Sequence, residues 1–399
     1  MIQATVRSRV QSVARIALVG VHGFGLHHLR NLARLQALGA VDLVAVADPQ
    51  PPEAGSVPPS ALVYPDLAAL LANTPDLDIV IVATPIQTHA PLAILALTSG
   101  ADLYLEKPPV ATLADFHALA LAAESAQSSV QIGFQSLGSQ ALPALQELIA
   151  GGELGELLGI SATGRWIRDR AYYTRSRWAG KRSINGVDVV DGVATNPLAH
   201  AVATALHLAG AHTTADVSRV ETDLYRANAI ESDDTSVIRI STLSGVTVLC
   251  ALTLCAEESS EPFVTVHGSQ GTATFHYTED RLDICAGATK TTQTFGREDL
   301  TENLLAHRRS GIPLLSPLAD SGAFMRVLEA IRTAEDPHLI GSEHVQWEGT
   351  GTSAHPVIEG ITGILDRATT QQKTFAELGV PWAATKATGA ANPHQHRRP

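Results

Sequence analysis

Residues 14–25 read ARIALVGVHGFG, and the helix-patterned GLHHLRNLARLQAL (25–38) runs on from the last glycine. A short, wholly apolar run that ends in a glycine turn and opens into a helix starts a strand–turn–helix unit. Leu29, Leu32, Leu35 and Leu38 recur every three residues and give the helix one apolar side. Gly20, Gly23 and Gly25, with His22 and Phe24 between them, make the turn. Glycines there permit a tight turn and let backbone N–H groups approach an anion, which the helix N-terminus then favours. The spacing departs from G-x-G-x-x-G, because His22 stands at the second glycine position and Gly23 comes one residue late.

The same texture continues outward. VDLVAVAD (41–48), LDIVIVATP (77–85), ADLYLEKPP (101–109) and SVQIGF (129–134) read as strands, with helices predicted over 89–100 and 112–127 and a Pro-rich loop after residue 48. Continuously apolar strands alternating with helices predict a doubly wound parallel sheet, a Rossmann-type α/β domain. Asp48 closes the second strand, 23 residues after Gly25. An acidic residue there bonds a ribose diol and repels a 2′-phosphate, so NAD is expected over NADP. No arginine follows it to reverse that preference.

After Gln135 the pattern changes. A helix is predicted over 139–150, then longer alternating strands over 156–166, 216–228, 234–243, 246–255, 262–267 and 271–277. Helices are predicted over 197–209, 319–334 and 352–370. This describes a C-terminal α+β domain with an open-faced, largely antiparallel sheet. The expected division is 1–138 for the nucleotide domain, 139–385 for the second domain and 386–399 for a flexible tail.

Composition narrows the classes. The chain has 399 residues, 28 Lys and Arg against 40 Asp and Glu, and a formal charge of −12. With 45% hydrophobic and only 17% charged residues it suits a packed core rather than disorder. No apolar stretch is long enough for a transmembrane helix, and no secretory signal is evident before residue 20. The net negative charge argues against nucleic acid as a partner. Cys250, Cys255 and Cys285 form no C-x-x-C pair, so neither disulfide framework nor metal site is expected, and a cytoplasmic location fits best.

Three further motifs coincide in order: Ala83-Thr84-Pro85 with His89, then Glu106-Lys107-Pro108, then Gly133-Phe134-Gln135. On these the chain resembles the Gfo/Idh/MocA oxidoreductases over about residues 14 to 370. The resemblance implies a cofactor site of Gly20, His22, Gly23, Phe24, Gly25, Asp48, Thr84, Pro85, His89, Glu106, Lys107 and Gln135. It implies a cis bond before Pro108, substrate held between the domains, and hydride transfer at a sugar or polyol carbon. It also implies a homodimer or homotetramer formed through the C-terminal sheet. Its second catalytic element, an Asp and a His four residues apart, corresponds here to Asn196 and His200. Lys107, His200 and Asn196 are therefore the catalytic candidates. His200 is expected to remove the hydroxyl proton and Lys107 to steady the oxyanion. Asn196 cannot take a proton, and a helix cap ahead of Pro197 remains open for it. Asp191 is a possible substitute carboxylate.

One local feature opposes the global charge. Residues 165–182 read RWIRDRAYYTRSRWAGKR, with seven basic side chains among 18 residues and Tyr and Trp between them. Arg165, Arg168, Tyr172, Tyr173, Arg175, Trp178 and Lys181, with Asn196 and His200, are the expected substrate contacts. Arginine forks bind carboxylate, sulfonate or phosphate, and aromatic rings stack on sugars. An anionic sugar or glycoside is one reading; an arm that pairs with acidic surface on another subunit, or a solvated loop, is the other. The leading function is an NAD-dependent oxidoreductase of a sugar, polyol or glycoside. The alternatives are a redox-neutral NAD-dependent hydrolase of an anionic glycoside, such as a sulfoquinovoside or uronide, and a non-catalytic NAD-binding regulator.

Overall fold

The computed structural model describes residues 13–383; the tail expected over 386–399, and the first twelve residues, lie outside it. Strands β1 (Ala14–Val19), β2 (Val41–Ala47), β3 (Leu62–Tyr64), β4 (Ile79–Val82), β5 (Asp102–Leu105) and β6 (Val130–Ile132) build the first sheet. Their order is β3-β2-β1-β4-β5-β6 and all pairs are parallel. This is the doubly wound order, whose direction reverses between β1 and β4. Alternate strand residues point to opposite faces. Ile16, Leu18, Ile79 and Ile81 join one core cluster with Leu29, Leu32 and Leu35 of α1 (Gly25–Ala37). Ala17, Val19, Val80 and Val82 join the other, under α2 (Leu67–Asn73), α3 (His89–Leu97) and α4 (Leu113–Ala126). Burying each such leucine contributes roughly 1.5–3 kcal/mol, so the two apolar faces dominate any propensity term.

The short β3 and α2 follow the Pro-rich loop, in residues for which no element was expected. β3 is three residues long and largely exposed, too short to show a period, and α2 is started by Asp66, which accepts from Ala69 N at 2.8 Å.

The second domain begins with α5 (Ala141–Ala150), β7 (Leu157–Ile167), a one-turn α6 (Arg170–Thr174), the small hairpin β8 (Ser183–Ile184) and β9 (Val187–Asp188), and α7 (Ala199–Leu208). Strands β10 (Val217–Arg226), β11 (Thr235–Thr242), β12 (Thr247–Thr253), β13 (Cys255–Gly268), β14 (Gly271–His276), β15 (Arg281–Ala286) and β16 (Thr289–Thr294) follow. The chain then forms α8 (Leu300–Ser310), α9 (Gly322–Thr333), β17 (His338–Leu339), β18 (Val345–Glu348), β19 (His355–Ile358) and α10 (Ile361–Gln371). The large sheet runs β16-β15-β14-β13-β7-β12-β11-β10-β17 and is mostly antiparallel, with parallel β7–β12 and β10–β17 pairs.

Three details depart from expectation. Residues 352–370 are not one helix: β19 precedes α10, and α10 covers the second face of the sheet over Val237, Leu249 and Ala251. Only the half toward β16 keeps an open polar face. The hairpin β15–β16 was not anticipated, because TKTTQT is exposed throughout and shows no alternation. Finally, the domains are not contiguous in sequence. Helix α8 returns to the first sheet, where Leu300, Leu304 and Leu305 pack, and Arg308 reaches Asp78 at 2.6 Å.

Candidate active site

Gly20 has φ +87°, and a Cβ there would lie 2.6 Å from the Ala83 carbonyl oxygen. A Cβ at Gly25 would lie 2.1 Å from the Gly20 carbonyl oxygen. Both glycines thus hold β1, β4 and α1 together at the point where strand order reverses. Gly23 needs only its conformation, φ +56°, with open space around it. Helices α2 and α4 are capped by their own Asp66 and Thr112, but α1 starts at Phe24 without a side-chain cap. Such a cap is worth about 1 kcal/mol, and leaving it out keeps the turn free for an external anion. Among the described residues, the N–H groups of His22, Gly23 and Phe24 find no partner. Asp48 Oδ2 accepts from Val21 N at 3.0 Å and Oδ1 from Gln50 N at 2.9 Å, fixing the carboxylate beside this turn. His22 Nε2 sits 3.4 Å from the Gln50 carbonyl oxygen, on the same loop. This donor and acceptor set fits NAD.

The strand ends opposite carry the other motifs. Thr84 Oγ1 accepts from Thr88 Oγ1 at 2.8 Å, and Pro85 is exposed. His89 is 1% exposed, and its ring bridges the Thr84 carbonyl oxygen at 2.8 Å and the Pro108 carbonyl oxygen at 2.9 Å. Its side chain thereby staples the Thr84 turn to the Lys107 loop. Glu106 is also buried and bonds His28 of α1 at 2.8 Å. Gln135 bonds Tyr104 on β5. The Lys107–Pro108 peptide is cis.

Lys107 reaches across to the second domain. Its Nζ donates to Asn196 Oδ1 at 2.8 Å and to the Asn196 carbonyl oxygen at 2.9 Å. Asn196 Nδ2 in turn donates to Asp191 Oδ1 at 2.7 Å. Asn196 is not a helix cap: α7 starts at Ala199 after Leu198, with no side-chain cap. Asn196 lies in the turns before α7, so Asn196 and His200 do not stand on one helix. Burial lowers Lys107 below the usual lysine range, while the charges of Glu106 and Asp191 act the other way.

His200 lies near the same lysine, with Phe134 edge-on at 5.9 Å and Ser136 Oγ 3.4 Å from its Nδ1. Burial, then the positive charges of Lys107 and Arg297, push it down to about 3. No carboxylate holds it up. It is a neutral imidazole at pH 7 rather than a base poised near neutrality, an outcome of tertiary surroundings that sequence spacing does not carry.

The basic segment divides. Arg165 pairs with Asp366 of α10, and Lys181 with Glu231 at 2.7 Å. Arg182 donates to the carbonyl oxygens of Arg332 and Ala334 at 2.8 Å, at the end of α9. Tyr173 is packed against Gly180, and its hydroxyl is buried without a hydrogen-bond partner among the described residues. In this structure Arg165, Tyr173, Lys181 and Arg182 are thus engaged with the scaffold. Arg168 and Arg175 do not pair so. Arg168 stacks on Trp166 at 4.5 Å and Tyr172 at 5.0 Å, and its Nε is buried and unbonded. Arg175 lies between Tyr172 and Trp178, with Nη2 4.0 Å from Asp191. Ile167, Arg168, Asp169, Tyr172, Ser353 and His355 line an open recess of about 530 Å³. Ser353 and His355 were missed by sequence reasoning, because the β18–β19 hairpin brings them from 180 residues away only through the fold.

Comparison with known proteins agrees with this architecture. Residues 14–134 match the model of an oxidoreductase family with an NAD-binding Rossmann fold, and residues 143–274 match the GFO/IDH/MocA C-terminal domain. The chain is 26% identical to inositol 2-dehydrogenase of Leifsonia xyli subsp. xyli over 186 residues, 46% of this chain and 55% of the relative. It is 30% identical to inositol 2-dehydrogenase of Salmonella typhimurium over 149 residues, 36% of this chain and 44% of the relative. It thus spans about half the length of the curated relatives it matches. The WlbA dehydrogenase from Bordetella pertussis, solved with NADH and UDP-GlcNAcA, shares the fold with a TM-score of 0.66. That match is 22% identical and covers 80% of this chain and 95% of that one. With both of its domains matched, the chain belongs to the Gfo/Idh/MocA oxidoreductase family, an NAD-binding Rossmann domain followed by that family's C-terminal domain.

Proposed function

We propose that the protein is an NAD-dependent oxidoreductase of a sugar, polyol or glycoside, and that Lys107 handles the proton of the reacting hydroxyl. The observation that carries this is the Lys107 ammonium, anchored on Asn196 of the second domain at the end of β5. NAD, when bound, takes up the hydride from the carbon. Desolvation makes neutral Lys107 Nζ more accessible than in a free lysine, so Nζ accepts the hydroxyl proton during oxidation and returns it during reduction. As an ammonium it then stabilises the negative oxygen. His200, held neutral, orients the hydroxyl by a hydrogen bond. Lys107 is thus a better match to the proton transfer than His200, whose conjugate acid is far too strong at about 3.

The substrate class we favour is anionic. Arg168 keeps its guanidinium on aromatic faces with no carboxylate pair among the described residues, and Arg175 rests on Tyr172 with Asp191 4.0 Å away, next to a recess wide enough for a second ring or an acidic substituent. The three free cysteines suit a reducing cytoplasm. Self-association through the open half of the large sheet, as a homodimer or homotetramer, would cover the polar Ser161–His267 and Thr265–Thr274 pairs.

A screen of polyols, neutral sugars, uronic acids and aryl glycosides with NAD tests the reading, following NADH absorbance and aglycone release together. NADH formed in step with product supports it. Aglycone released on catalytic NAD without net NADH would identify redox-neutral hydrolysis instead. NAD binding with no turnover of any class, and a Lys107→Ala variant with full biological activity, would identify a regulator.

A further inference from the structure

We infer that Asp191 is the positioning carboxylate of this site, fixing the Asn196 amide and, through it, holding the Lys107 ammonium in the cleft. The inference rests on Lys107 being the group beside the substrate. Asp191 acts through Asn196 and is therefore a positioning residue.

The chemistry of the donors decides the orientation of the amide. An ammonium only donates and a carboxylate only accepts, whereas an amide does one at each end. Lys107 Nζ lies 2.8 Å from one end of Asn196 and Asp191 Oδ1 lies 2.7 Å from the other. A single amide orientation satisfies both, with oxygen toward Lys107 and nitrogen toward Asp191. A neutral amide at 191 can offer Asn196 either an oxygen or an NH2 group, so only the ammonium would then fix the amide's orientation.

The placement of Asp191 is specific. Its side chain is 1% exposed, and Oδ2 accepts from Gly180 N at 2.7 Å. The nearest guanidinium, Arg175, stands 4.0 Å away. The preceding Val190 has φ +54°, a conformation costly for a β-branched residue. At Gly192 a Cβ would come within 2.0 Å of Asp233. The turn 190–192 is thus held in an unfavourable backbone to point this carboxylate at Asn196. The carboxylate stands five residues before the position where the family resemblance expects an acid, and the amide at 196 spans the gap.

Asn196 passes on orientation and field but not a proton, since an amide neither gains nor loses one near neutral pH. The charged and titratable groups facing Lys107 are Glu106, Asp191, Arg175 and His200. Those facing Asp191 are Lys107, Arg175, Tyr172 and Tyr173. Asp191 favours the ammonium form of Lys107 and Arg175 opposes it.

The test is pH-dependent labelling of the full-length protein with acetic anhydride, reading the Lys107 peptide by mass spectrometry with and without NAD. Asp191→Asn is expected to move the Lys107 midpoint to lower pH by about one unit, a roughly tenfold rise in reactive amine at fixed pH. Asp191→Gly combined with Asn196→Asp returns a carboxylate to the lysine and is expected to restore the midpoint or raise it. An unchanged or raised midpoint in Asp191→Asn overturns the inference. Should that variant not fold, a midpoint below wild type in the double variant overturns it. The labelling uses no substrate, so its failure leaves the functional reading standing, and a failed NAD screen leaves the Asp191–Lys107 coupling standing.

Discussion

His28 Nε2 lies 2.8 Å from Glu106 Oε1, with both side chains buried between α1 and the strand that ends at Lys107. Tyr104 closes the pair edge-on, 5.0 Å from His28. Glu106 Oε2 also accepts from Lys107 N at 3.2 Å, and Gly133 leaves no room for a Cβ, which would lie 2.8 Å from the carboxylate. The helix that opens on the glycine turn is therefore tied to the loop that presents Lys107. His28→Ala leaves a buried carboxylate oxygen without its partner and should cost about 1–3 kcal/mol. Gly133→Ala should destabilise by a similar amount without altering a polar group, through overpacking of about 1–3 kcal/mol. Urea unfolding midpoints measure both. If neither variant moves the midpoint, the pair does not couple the two elements.

The glycines of the turn should fail in a definite order. Gly25→Ala meets backbone at 2.1 Å and Gly20→Ala meets it at 2.6 Å in a positive-φ conformation. Backbone cannot move aside as a flexible side chain can, so both should lose NAD binding by titration calorimetry. Gly23→Ala meets nothing within 4 Å and carries only the left-handed penalty, about 1–2 kcal/mol. It should weaken NAD roughly tenfold. Equal losses at all three positions would mean that conformation, not close approach, sets the site.

Asp48 should govern the choice between NAD and NADP. Asp48→Ser removes the charge that repels a 2′-phosphate yet leaves a hydroxyl to accept from Val21 N. NAD affinity should fall and NADP affinity rise, changing their ratio by at least about tenfold, or 1.4 kcal/mol. A ratio unmoved in paired calorimetric titrations would show that Asp48 serves only its own turn, where it already accepts from Val21 and Gln50.

The first domain was legible because its strands other than β3 are largely buried on both faces, so that a bare apolar run betrays them, and because Gly20, Asp48 and Lys107 sit in motifs fixed to strand ends. What stayed hidden depends on contacts distant in sequence. Helix α8 reads as an ordinary polar helix, and only Arg308 reaching Asp78 and Asp102 shows that it belongs to the first sheet. His89 looks like a site residue by motif and is a staple by burial. Lys181 and Arg168 are equal in a composition count, but Glu231 neutralises one and no carboxylate pairs closely with the other. The Asp191–Asn196–Lys107 chain joins three residues through side-chain rotamers that no periodicity encodes.

His200 should make stability pH-dependent in a definite direction. Its folded-state value, about 3, lies below the ordinary value of 6.5, so the unfolded chain binds the proton first. Stability from this group is complete above about pH 6.5 and is lost as pH falls toward 3. His207, lowered to about 4 by burial and then by His212, adds to the same slope. Asp233, raised by burial to about 6, acts oppositely between about pH 4 and 6. The clean measurement is the difference between wild type and His200→Asn in unfolding free energy from pH 7.5 to 4. The variant should show a shallower slope, by up to one proton. Superimposable slopes would mean that the imidazole is solvated or already charged in the folded protein.

The basic segment should split by function when its members are removed singly. Lys181→Ala breaks an exposed pair with Glu231, worth at most about 1 kcal/mol, and should leave turnover untouched. Arg182→Ala removes donors from the end of α9 and should appear in the unfolding midpoint but not in KM. Arg168→Ala should do the reverse. Its guanidinium has no carboxylate to release and rests on Trp166 and Tyr172 beside the recess. A charge-assisted hydrogen bond to an acidic substrate is worth about 1.5–3 kcal/mol, so KM for anionic sugars should rise roughly tenfold to a hundredfold. KM for neutral sugars should stay within about twofold, since an added hydroxyl contact is exchanged for water at little net gain. Steady-state kinetics on matched uronic acid and neutral sugar pairs reads the difference. Equal losses on both members of a pair would assign Arg168 to packing of the cleft wall and remove the argument for an anionic substrate.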